Sequence, residues 1–91
     1  MATKTSPLVG TSRILIEPWN VILLNDDFHD FDEVIYQLVL ATSCRMEVAE
    51  AIAWEAHSKG EAVCFTGSRE RCELVASVLE EIDLRVRLEK A

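Results

Sequence analysis

The sequence predicts an α+β sandwich in the order β-α-α-β-α-β, with three helices packed on a small three-stranded antiparallel sheet. Three observations carry that expectation. A β-branched and aromatic run, Trp19–Leu24, is closed by a polar turn, Asn25-Asp26-Asp27. Three stretches with helical apolar spacing follow, and the last segment alternates apolar with basic side chains. A chain of 91 residues holds one domain. Its composition, 49% hydrophobic and 27% charged, excludes a disordered or collagen-like polymer.

Residues 1–17, rich in Ser and Thr with Pro7 and Gly10, read as a flexible N-terminal tail, and residues 18–91 as the folded domain. The unbroken apolar run Trp19–Leu24 suggests a central strand buried on both faces. Asp30 or the residue before it caps the first helix, with Asp32 and Glu33 near the positive end of its dipole. Val34, Ile35, Leu38 and Val39 form its stripe, and Thr42 and Ser43 interrupt it. In the second helix Val48, Ile52 and Ala56 share a line beside Ala49 and Ala53, and Gly60 is placed to end it in a left-handed conformation. The second strand is 61–66, and Ser68 caps a third helix with the stripe Leu74, Val75, Val78, Leu79 and Ile82. Residues 83–89 read as a half-exposed third strand.

Nine basic against 16 acidic residues give a net charge of -7, a surface that repels nucleic-acid phosphates and anionic lipid. No run is long enough to span a bilayer, and the first residues lack the apolar core of a secretory signal. Three cysteines without a CxxC pair read as reduced, buried thiols. With three glycines there is no phosphate-binding loop, and no serine or cysteine sits in a nucleophile elbow. The spacing of Asp26, His29 and His57 matches no metal-ligand pattern, so neither an enzyme nor a cofactor is expected. Asn25-Asp26-Asp27 is either an ordinary turn or a group of oxygens able to hold a cation. His57 shares the flank of Ala49 and Ala53 and lies near a helix C-terminus, where a histidine commonly compensates the dipole.

The segment Pro18–Asp27, followed by Phe28, resembles the start of the folded domain of the ClpS family, the adaptors of Clp proteases. The block Glu55–Cys64 and the ending Leu84–Ala91 are similar to two further family blocks, in the same order and with compatible spacing. The resemblance implies the same β-α-α-β-α-β fold. It also implies a binding protein that captures the free N-terminal residue of substrates, bulky and hydrophobic, and delivers them to a Clp AAA+ unfoldase of the ClpA or ClpC type. By resemblance, Asn25, Asp26 and His57 bind the terminal amine, and Asp27 and His29 stand at the pocket entrance. Phe31, Val34, Ala53, Ala56 and Leu84 line the apolar part, while Ser68, Arg69 and Glu70 face the unfoldase. Its compartment would be the cytoplasm, with a plastid stroma also open.

The residue types suit that chemistry. A terminal ammonium has three donors and needs a carboxylate with neutral acceptors around it. A protonated His57 would repel it, so binding is expected to weaken on acidification. Ala53 stands where the family commonly has Met, Phe31 where it has a smaller residue such as Met, His29 where it has Thr, and Val75 where it has Lys. One wall of the pocket therefore widens while another closes, and the expectation is that Leu and Phe bind, with Trp and Tyr open. A second reading is a ClpS-like docking module with an altered amine pocket that modulates the unfoldase's substrate choice.

Overall fold

A computed structural model describes residues 17–91. Apart from Glu17, the tail expected over residues 1–17 lies outside the described residues. The elements are β1 (Trp19–Leu24), α1 (Phe31–Thr42), α2 (Met46–Lys59), β2 (Glu61–Gly67), α3 (Arg69–Glu80) and β3 (Val86–Lys90). The sheet order is β2-β1-β3 with both pairings antiparallel, so the apolar run is the central strand. This is the α+β sandwich that the patterning predicts.

Val21 and Leu23 point from β1 into the helical layer and are fully buried together with Leu38, Cys72 and Leu79. Ile22 faces the other way and is also buried, but lies outside that cluster between its strand partners Val63 and Arg87. Both faces of β1 are thus shielded, the second by neighbouring side chains. A bulge opposite Val21 and Ile22 leaves Cys64 as the extra residue of β2 and keeps Ala62 and Cys64 buried.

The helix ends follow local chemistry. Asp30 is the N-cap of α1, and its N–H donates to Glu33 Oε1 at 3.0 Å. Gly60, with φ 92°, ends α2 and donates its N–H to the Ala56 carbonyl at 2.9 Å. Ser68 Oγ accepts from the Arg71 N–H at 3.2 Å at the start of α3.

Three expectations are corrected. In α2 the buried face is Ala49, Ala53 and Ala56, and Val48 is exposed. Small residues face the sheet there, because α2 lies close over β2. In α3 the buried face is Cys72, Val75, Ala76 and Leu79, with Leu74 63% exposed. The third strand begins at Val86, not Asp83. Asp83 takes a left-handed φ of 65°, which turns the chain and sends Leu84 into the core.

Candidate functional site

β1 runs out at Leu24 into the loop 25–30, and that end of the sheet meets the last turns of α2. Main-chain bonds fix the junction. The Leu24 N–H donates to the Arg85 carbonyl at 3.0 Å, and the Asn25 N–H to the Gly60 carbonyl at 2.9 Å. Arg85 Nη2 returns a bond to the Asn25 carbonyl at 2.8 Å. Three segments distant in sequence thus meet at Leu24 and Asn25.

A cavity of about 240 Å³ opens beside it. Its polar border is Asn25, Asp26, Asp27 and His29 from the loop and His57 from α2. Its apolar wall is Phe31 and Val34 from α1, Ala53 and Ala56 from α2, and Leu84 from the turn before β3. All ten residues named from the sequence for amine binding, entrance and lining therefore border one space. Leu23 and Leu24 complete the wall and were not foreseen, although both sit in the apolar run directly before the loop.

The polar residues are not equivalent. Asp26 Oδ1 accepts the N–H groups of Phe28 and His29, at 2.9 and 3.0 Å, and Oδ2 lies 2.9 Å from His29 Nδ1. Burial alone would raise the Asp26 carboxyl, but these bonds from His29 and Phe28 outweigh it and hold the pKa below the usual 3.8. His29 shifts upward from 6.5: the Ile82 carbonyl stabilises its charged form, burial opposes it, and Asp26 adds to the rise. Asp27, by contrast, is exposed and has no ion pair or side-chain hydrogen bond among the described residues. The Asn25 side chain likewise makes no hydrogen bond among them. Among the described residues the unengaged acceptors on the cavity border are thus Asn25 and Asp27, and His57 of α2 lines the same cavity.

His57 is exposed and packs edge-on with Phe31, ring centroids 5.6 Å apart, while Trp54 stands 5.1 Å from Phe31 and 5.7 Å from His57. Trp54 is 60% exposed beside the rim. Sequence reasoning missed it, although Trp54 and His57 are three residues apart on one helix and so share an edge.

Ser68, Arg69 and Glu70 lie at the opposite end of β1. Ser68 caps α3, and Arg69 lies over the Trp19 ring at 5.0 Å with Nε 3.2 Å from Glu73 Oε2. Glu70 is exposed. Val75, expected to stand where the family commonly has Lys, packs in the core at 5% exposure. Burial pushes the Cys64 thiol up to about 12, consistent with an inert core residue. Among the described residues no group of three His, Cys, Asp or Glu side chains could hold a metal ion, and no helix is long and apolar enough to cross a membrane.

Comparison with known proteins agrees with this architecture. The family model for "ATP-dependent Clp protease adaptor protein ClpS" matches residues 16–86. The adapter protein ClpS of Vibrio atlanticus is 35% identical over 75 residues, covering 79% of this chain and 71% of that protein. That of Leptospira biflexa is 39% identical over 46 residues, 50% of this chain, and the match spans only 41% of the relative's length. Among solved structures, Agrobacterium tumefaciens ClpS2 bound to L-phenylalaninamide superposes with a TM-score of 0.77 at 22% identity, covering 82% of this chain and 98% of that one.

Proposed function

The chain belongs to the ClpS family, and from that premise we propose that it is a non-catalytic adaptor that binds the free, bulky hydrophobic first residue of substrate proteins and delivers them to a Clp AAA+ unfoldase. The observation that carries this reading is the division of the cavity into an apolar wall and a polar border. A first residue presents the same two halves, a hydrophobic side chain and an ammonium. Phe31, Val34, Ala53, Ala56 and Leu84 receive the side chain. Asn25, Asp27 and His57 accept the three ammonium hydrogens, and Asp26, already bonded within the loop, shapes the site. An acetylated terminus lacks the cation and is rejected.

Burying a Leu or Phe side chain contributes about 1.5–3 kcal/mol, and each charge-assisted hydrogen bond a similar amount. After the costs of association, an affinity on the order of micromolar follows, weak enough to release cargo. The protein named in the structural match holds L-phenylalaninamide, a free amine with an aromatic side chain. We assign the same ligand class to this chain, in a cytoplasmic or stromal setting. The unfoldase, of ClpA or ClpC type, docks at Ser68, Arg69 and Glu70, away from the cavity, so that both partners bind at once.

The test is fluorescence anisotropy with peptides, labelled at the C-terminal end, that start in Leu, Phe, Trp, Val, Ala or acetylated Leu. Binding of free Leu and Phe, lost on acetylation and in Asp27→Ala, is the expected result. Leu and Phe peptides that bind no better than Ala would sink the reading. The engagement of Asp26 by His29 favours one second reading, a docking module whose amine site is altered; it predicts unfoldase binding with no peptide binding at all.

A further inference from the structure

His29 is bonded at both ring nitrogens. Nδ1 lies 2.9 Å from Asp26 Oδ2, and Nε2 lies 2.5 Å from the carbonyl oxygen of Ile82. A main-chain carbonyl can only accept, and so can an ionised carboxylate. Asp26 is held ionised by the two loop N–H groups on its other oxygen. Both ring nitrogens of His29 must therefore carry hydrogen, which makes the ring an imidazolium. The pair is well shielded, with side chains 14% and 8% exposed. Ile82 is 53 residues further along the chain, in the turn that sends Leu84 into the cavity. One side chain therefore ties the polar border of the cavity to part of its apolar wall.

We propose that His29 is the positioning residue of the peptide site: as an imidazolium it clamps the loop carrying Asn25 and Asp27 to the turn carrying Leu84, and peptide affinity falls when it gives up its proton. This rests on the peptide-binding reading above. Loss of the proton leaves either Nδ1 lone pair against Asp26 or Nε2 lone pair against the Ile82 carbonyl, so one of the two links breaks. The other titratable groups around the ring are Asp27 in the same loop, Glu33 on α1, His57 across the cavity on α2, and Asp83 next to Ile82 in the chain. The carboxylates favour the charged ring. Binding and protonation are reciprocal, so a bound peptide must hold the His29 proton more tightly.

The experiment follows the His29 ring by NMR in the full chain, free and saturated with a Leu-initiated peptide, alongside His29→Gln and Asp26→Asn. In the free protein His29 is expected to titrate above 6.5, to drop in Asp26→Asn, and to rise further with peptide bound. His29→Gln, which keeps a donor but neither charge nor titration, is expected to bind the peptide about tenfold more weakly at pH 7, the effect of one charge-assisted link. The ratio of wild-type to variant affinity then shrinks as pH passes the His29 pKa; the ligand's own amine titrates equally in both and cancels. A His29 titration unmoved by peptide, or an affinity ratio flat with pH, overturns the proposal. Should no peptide bind while His29 titrates high and falls in Asp26→Asn, the peptide-binding reading fails and the clamp stands as a feature of the loop alone.

Discussion

Phe31 and His57 meet edge to face at the border of the cavity, ring centroids 5.6 Å apart and planes at 89°. Phe31 comes from the first turn of α1 and His57 from the last turn of α2, so the contact joins the apolar wall to the polar border. Trp54 packs edge-on against the same phenyl ring, centroids 5.1 Å apart. Phe31→Ala is therefore expected to enlarge the cavity and raise affinity for Trp- and Tyr-initiated peptides relative to Leu by about tenfold. Competition anisotropy reads this, and an unchanged ranking would remove Phe31 as a selectivity determinant.

Ala53 acts in the opposite sense. It is buried on α2 and lines the cavity with only a methyl group. Ala53→Met fills that space, and large first residues should lose about tenfold in affinity while Val and Leu lose less. A melting curve beside the binding curve separates loss of space from loss of fold.

Gly60 links backbone strain to the site. Its φ of 92° is a conformation that L side chains avoid, although a Cβ there would meet nothing within 4 Å. Gly60→Ala should thus cost about 1–2 kcal/mol from the backbone alone. Its carbonyl accepts from Asn25, so peptide binding should weaken in the same variant. A drop in melting temperature with unchanged peptide affinity would uncouple the helix end from the loop.

The His29–Asp26 pair also sets a pH window for stability. The His29 pKa is raised, so its contribution is complete below about 6.5 and is lost as pH climbs through the higher folded value. The Asp26 pKa is lowered, so its contribution is present above 3.8 and is lost as pH falls through the lower folded value. Between those limits the pair stabilises most. Thermal melts from pH 4 to 9 should show a decline on the alkaline side in wild type that is absent in His29→Gln; parallel curves would count against the pair.

A core pair of variants checks the corrected face of α3. Leu79 is fully buried and Leu74 is 63% exposed. Leu79→Ala should cost about 2–5 kcal/mol, and Leu74→Ala no more than about 0.5 kcal/mol, by urea denaturation. Equal costs would restore the face expected from the sequence.

That reversal shows where sequence patterning stops. β1 was legible to the residue because an apolar run met Pro18 on one side and three polar turn residues on the other. Gly60 and Ser68 were legible as helix ends because each has a local reason to be there. The inward faces of α2 and α3 were legible only in part: Ala49, Ala53, Ala56, Val75 and Leu79 were named and are buried, but Val48 and Leu74 were named and are exposed. Adjacent lines on a helix differ by one residue, and Val48 and Leu74 are more hydrophobic than the alanines and Cys72 that tertiary packing selects. The start of β3 was hidden by Asp83, whose left-handed turn leaves no mark on the alternation. The cavity residues were named through family resemblance and lie together. The His29–Ile82 bond could not have been read, since its acceptor is a main-chain carbonyl that any residue supplies.

The main chain at Leu24 and Asn25, gripped by Gly60 and Arg85, has a consequence for how such a site diverges. Two of those three links run between main-chain atoms, and only the Arg85 guanidinium depends on a side chain. Changes on the wall, at Phe31 or Ala53 for example, can therefore accumulate without dislodging this main-chain frame. Under the proposed function, capture and discrimination become separately heritable: one lineage can change its cargo while keeping the frame that grips it.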